Sequence, residues 1–129
     1  MTSFKTKGRV QSGKQDFSFR MKSIPGLLDA YERKTGIRFF PGTLNLKLEK
    51  EFSFPSSCLR LEAEDYGGSV ASNILPCTVN NIKCFAIRTD KNEAGLGTHP
   101  KNILEIASDL KLRDHLDLED GDEVELIIL

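Results

Sequence analysis

Short runs in which apolar and polar residues strictly alternate constrain this chain most, because that period belongs to strands with one buried face. "TLNLKLE" (43–49) sends Leu44, Leu46 and Leu48 to one face and Thr43, Asn45 and Lys47 to the other. "DFSFRM" (16–21) alternates in the same way, with Phe17, Phe19 and Met21 on one face. "GRVQS", "LRLEAE", "ILPCTV", "KCFAIRT", "ILEIA" and the terminal "VELIIL" add more short strand signals. Asn80-Asn81 suits a tight hairpin turn, and Asp120-Gly121 turns the chain into its last strand. The one convincing helix is "SIPGLLDAYERKTG". Ser23 is the expected N-cap, Pro25 fits the first turn, and Gly36 closes the C-terminus. Ile24, Leu27, Leu28 and Tyr31 recur at helical spacing and form one apolar stripe. "LKLRDHL" reads as a helical turn or two. Many short strands with one real helix predict a mainly β fold, a small barrel with appended helices. Residues 1–129 suit a single domain with one core.

Composition removes several function classes. Net charge is −1, against a protein whose whole surface attracts nucleic acid. Lys5, Lys7, Arg9 and Lys14 cluster near the start and read as a solvated strand end. Cys58, Cys77 and Cys84 are odd in number with no C-x-x-C spacing, so buried free thiols in a reducing cytosol are expected. No signal-peptide core precedes the strands, and no run approaches the ~20 apolar residues that span a bilayer. A cytoplasmic protein is expected.

Three motifs fail on their context. "GRVQSGKQ" has the glycines and lysine of a P-loop, but Gln15 stands where Ser or Thr should hold a metal, and a strand pattern follows. It survives only as a Gly-Lys turn that contacts phosphate. "EDGDEVE" is too compact for an EF-hand and reads as a hairpin turn. His99 and His115 lack ligand spacing with each other or with any cysteine.

Two polar features stand out. Thr43 and Asn45 project from one strand face with α-carbons roughly 6.5–7 Å apart. Their neutral oxygens suit Mg²⁺ that arrives with a nucleotide's phosphates. The plain alternative is an exposed polar face. Glu105 sits in "NILEIAS" between Leu104 and Ile106. Buried, it needs a partner and its pKa rises toward the range of proton transfer. The alternative is the outward position of a half-buried strand.

In order along the chain, "GRVQSG", "TGIRFFPGTLNLKL", "YGGSVASNILPCTVN", "HPKNILEIAS" and "LKLRDHLDLEDGDEVEL" resemble the CTP-dependent riboflavin kinases of archaea, from Gly8 to the C-terminus. The resemblance implies a cradle-loop β-barrel of about six strands with one amphipathic helix and short helical turns. It implies Mg²⁺-dependent transfer of the γ-phosphoryl group of CTP to the 5′-hydroxyl of riboflavin, giving FMN and CDP. Thr43 and Asn45 would hold the Mg²⁺. Gly13, Lys14, Gln15, Asp16, Phe17 and Ser18 would wrap the nucleotide, with Leu110, Lys111, Leu112 and Arg113 on its other side. Thr98 and Glu105 would meet the flavin, and Glu105 is also the catalytic candidate. Lys14 and Lys47 would add positive charge, and the 89–98 segment would close over the site. The implied partners are CTP/CDP and riboflavin/FMN, with no nucleic acid, no membrane and a monomeric chain. Some members carry a DNA-binding domain in front, and here none is expected.

Two departures bear on the site. The family's first loop is richer in glycine than "SGKQDF". Strict alignment on His-Pro puts Gly97, not Thr98, at the flavin-contacting threonine. The glycine-poor loop leaves a non-catalytic barrel that binds a nucleotide or flavin as the alternative.

Overall fold

The computed structural model of the chain describes residues 4–13, 16–97 and 99–129, and, of Asp16, the backbone. Seven strands form one antiparallel sheet: β1 (Phe4–Gln11), β2 (Leu44–Leu48), β3 (Leu59–Leu61), β4 (Ser72–Val79), β5 (Ile82–Thr89), β6 (Ile103–Ala107) and β7 (Glu123–Ile128). Their order is β3-β4-β5-β6-β2-β1-β7, and β4 also pairs with β7. Six strands therefore close into a barrel and β3 is left on its edge, as the alternating runs required.

Two apolar layers hold this arrangement. Leu44, Leu46 and Leu48 point inward with Val10, Cys77, Leu104, Val124 and Leu126 to fill the barrel. Outside the wall made by β4, β5 and β6, Ile74, Phe85, Ile87 and Ala107 pack against Phe17, Met21, Leu27, Ala30 and Tyr31. Those last residues come from α1 (Asp16–Ser23) and α2 (Leu27–Thr35).

Helix α1 corrects the reading of "DFSFRM" as a strand. Phe17 and Met21 are 2% and 3% exposed, but Phe19 is 73% exposed. Phe17 and Met21 are four apart and share one helical stripe, while Phe19 turns outward. A six-residue run satisfies both periods, and contact with the barrel wall decided between them. The same correction moves Ser23. It ends α1, its hydroxyl donating to the Phe19 carbonyl, and Gly26 in the left-handed region (φ 81°) is the N-cap of α2. Gly36 closes α2 as expected, with φ 83° and its N–H donating to the Glu32 carbonyl. Leu27 and Tyr31 of the apolar stripe are fully buried.

The β4–β5 hairpin turns on Asn80 and Asn81 at φ 47° and 69°, the positive pair that a two-residue hairpin of the I′ type demands. The polar stretch after β5 is partly ordered as α3 (Asp90–Glu93), capped by the Thr89 hydroxyl, which accepts from the Asn92 N–H. "LRLEAE" is strand only through Leu61 and then a 3₁₀ turn, Ala63–Asp65. The basic residues of β1 lie opposite acids of β7. Lys5 is 3.2 Å from Glu125, and Lys7 is 3.3 Å from Glu123. Lys5 and Lys7 are thus neutralised locally, while Lys14 lies outside the described residues. No helix among the described residues is long and apolar enough to cross a membrane.

Arg88 ties the connections together below the barrel. It is 4% exposed and stacks on the Phe54 ring at 5.1 Å. Its guanidinium donates to the carbonyls of Phe52, Lys101 (2.9 Å) and Ile103 (3.1 Å), and to Glu93 (3.0 Å). Glu93 also accepts from the Phe54 N–H at 3.3 Å. One buried cation thereby fixes the segment before β3 and the segment before β6.

Candidate active site

The end of β1, the Pro41-Gly42 turn into β2, one flank of α1 and the segment around α4 (Leu112–His115) meet at one mouth of the barrel. They enclose a cavity of about 490 Å³. That size lies within the usual range of small-molecule sites. Gly13, Ser18, Thr43, Asn45, Leu110, Lys111, Leu112 and Arg113, all singled out in the sequence, line it. Residues separated by up to a hundred positions therefore share one wall.

Register explains how the polar face of β2 became a site rather than a solvated surface. Asn45 lies opposite Glu105 of β6 and Gln11 of β1. The chain leaving Gln11 folds back over Asn45, which is only 6% exposed. Its Oδ1 is buried with no hydrogen-bond partner among the described residues. A neutral amide oxygen left so is costly unless something takes it, roughly 1–3 kcal/mol. Thr43 donates from Oγ1 to Glu105 Oε1 at 3.4 Å, a long bond that leaves the hydroxyl's lone pairs for a cation. The pair thus offers two neutral oxygens, the donors a hard divalent ion prefers. Among the described residues there is no cluster of three or more His, Cys, Asp or Glu that could hold a metal by itself. A metal here would need oxygens from its ligand.

Glu105 occupies the outward position of β6, as alternation suggested, but it is 6% exposed because α1 and α2 cover that wall. It stands behind Thr43 and does not line the cavity. Phe17 lies in the core under α1, away from the lining. Lys47 is exposed and also outside it. Lys14, Gln15, the Asp16 side chain and Thr98 lie outside the described residues.

Gly13 is fitted to its place by contact. A Cβ there would fall 2.6 Å from Asn45 Cγ and 2.8 Å from Oδ1, closer than atoms pack. We expect Gly13→Ala to lower stability by about 1–3 kcal/mol through overpacking. In Gly13→Ala/Asn45→Gly thermal melts should recover most of that loss, because the clash partner is gone. Additive losses would show that Gly13 matters for another reason.

Among the described residues, the lining carries Lys22, Lys111 and Arg113 and no carboxylate. Arg113 is tied back to Asp120 at 2.9 Å. The Ser12 hydroxyl (2.7 Å) and Arg113 together hold the Asp120 carboxyl below its usual range. Nearby nucleophiles and phenols are silent at neutral pH. Burial pushes the Cys84 thiol up to about 11 and the Tyr31 hydroxyl up to about 12. Cys58, Cys77 and Cys84 are all free, with Cys77 and Cys84 buried.

Sequence reasoning missed Lys22, Ser12 and Phe40. Lys22 disappeared with the strand reading of α1, and the i, i+4 pair Phe17/Met21 was the signal that would have recovered it. Phe40, half-exposed beside Pro41-Gly42, reads as an ordinary strand-former until the turn places it at the cavity.

Comparison with known proteins identifies the family. The family model for the CTP-dependent riboflavin kinase domain, also described as the domain of unknown function DUF120, matches residues 10–128. A riboflavin kinase of Pyrobaculum aerophilum is 33% identical over 95% of this chain and 59% of its own length. One of Sulfolobus acidocaldarius is 30% identical over 95% of this chain and 79% of its length, and one of Archaeoglobus fulgidus is 33% identical over 97% and 54%. The chain spans about three-fifths of the length of the Pyrobaculum relatives it matches. With a match to nearly all of its barrel, the chain belongs to the CTP-dependent riboflavin kinase family.

Proposed function

We propose that this chain transfers the γ-phosphoryl group of CTP to the 5′-hydroxyl of riboflavin, producing FMN and CDP. The Asn45 Oδ1, which has no hydrogen-bond partner among the described residues and sits on the wall of a cavity whose described charges are all cationic, carries the proposal. Thr43 and Asn45 would hold Mg²⁺. When bound, the ion supplies neutralisation of charge on the phosphate oxygens, which a loose transition state needs more than it needs a base.

The chain's own groups account for the rest. Leu110 to Arg113 receive the donor from one side of the cavity, and Gly13 and Ser18 line it on the other. Glu105 accepts the Thr43 hydroxyl's hydrogen bond and so fixes that oxygen. The family resemblance would give it a second part, orienting the flavin hydroxyl, with Thr98 as a second flavin contact. The P–O bond to the β-phosphate breaks as the bond to the flavin oxygen forms, and the hydroxyl proton departs to Glu105 or to water.

The test is FMN formation from riboflavin with CTP, ATP, GTP or UTP, with and without Mg²⁺, read by chromatography with flavin fluorescence. CTP with Mg²⁺ should give FMN and CDP in equal amounts. Flavin or nucleotide binding without turnover for any triphosphate would replace this reading with the non-catalytic binding module.

A further inference from the structure

The three flanks of α1 meet three different surroundings. Phe17 and Met21 face the core, and Phe19 faces solvent. Ser18 and Lys22, four residues apart and therefore on one side, line the cavity. Ser18 fixes the helix there, its hydroxyl donating to the Pro41 carbonyl at 3.4 Å. Pro41 immediately precedes Gly42 and Thr43, so that flank of α1 is anchored next to the Thr43/Asn45 pair. Lys22 stands one helical turn farther along, roughly 6 Å. Its flexible four-carbon stem brings the ammonium within reach of a phosphate chain held at that pair.

The three cations of the lining are not equivalent. Arg113 is held by Asp120 at 2.9 Å, and also donates to the Gln11 carbonyl. Lys111 lies 3.5 Å from Asp114. Lys22 makes no ion pair with any described residue. An ammonium with no ion pair among the described residues, facing a cavity whose described lining has no carboxylate, raises the local potential for anions.

We propose that Lys22 is the cation that contacts the phosphate chain of the donor nucleotide. This rests on the reading of the cavity as the donor site. Lys22 thereby supplies by side chain the charge that a loop with Gly13 as its one glycine cannot supply through several backbone N–H groups.

Calorimetric titration of cytidine, CMP, CDP and CTP into the full chain, wild type and Lys22→Ala, tests this. Lys22→Ala should weaken CDP and CTP about tenfold at low salt while leaving cytidine within twofold, since one exposed ion pair contact with a polyanion is removed. The salt dependence of CDP binding should shrink. Lys22→Arg should retain most of the affinity, and in turnover the KM for CTP should rise while that for riboflavin holds. Equal losses for cytidine and CDP would reassign Lys22 to a structural part. No loss in Lys22→Ala, with a full loss in Lys14→Ala, would move the contact to Lys14 and overturn the proposal. Direct binding separates this from the catalytic reading: CDP affinity that depends on Lys22 in a protein making no FMN would leave the contact standing and remove the kinase. Because Lys22 is exposed at the end of α1, its substitution should leave the melting temperature within about 2 °C.

Discussion

Asn45→Ala is expected to lower FMN formation at least 100-fold while the protein melts within about 2 °C of wild type. The two halves of that expectation have one cause. Asn45 Oδ1 is buried without a partner among the described residues, so truncation removes no hydrogen bond that this oxygen makes with them. What is lost is one of two oxygens available to a cation beside the transferring phosphate. Removing one preorganised electrostatic group from such a site typically costs about 10²–10³ in kcat. The stability half is measured by thermal melting, the activity half by flavin chromatography at saturating CTP and Mg²⁺. A mutant that turns over at the wild-type rate removes the metal assignment. A mutant that unfolds shows instead that the amide holds the Gly13 segment, which packs against it.

Arg88→Ala should produce the largest loss of stability in this chain. The guanidinium is almost wholly buried, and it satisfies the carbonyls of Phe52, Lys101 and Ile103 as well as Glu93. Truncation removes one donor from each of three carbonyls and takes the buried cation away from Glu93, which keeps the Phe54 N–H. Breaking a buried pair in this way costs about 3–5 kcal/mol. For a chain of this size that corresponds to a fall of roughly 10–20 °C in melting temperature. Arg88→Lys should rescue little, because a point charge cannot span the planar fork. Urea unfolding followed by circular dichroism measures the loss directly. A shift under about 3 °C would mean the network is a consequence of packing and not one of its causes.

The strands were largely legible because each carries its own period. Leu44, Leu46 and Leu48 had to share a face, and that face had to be covered, whatever lay elsewhere in the chain. Asn80-Asn81 and Gly36 were legible for a related reason, since few residues tolerate positive φ and these two sites required it. The "DFSFRM" segment was not legible. Its apolar residues fit a strand at i, i+2, i+4 and a helix at i, i+4, and local sequence cannot weigh the two. The burial of Phe17 and Met21 against Ile74, Phe85 and Ile87 chose the helix. Lys22 turned toward the cavity as a result.

By itself, the sequence determined a closed set of short strands, the amphipathic stripe on α2, and the residue types capable of holding a divalent ion. Those properties are local: they follow from side-chain period and from the backbone preferences of a few residues. Only the tertiary structure decided that Asn45 faces Glu105, that Gly13 packs against it, and that every charge among the described lining residues is positive. Register, burial and potential are set by segments distant in the chain, and no window of sequence contains both partners.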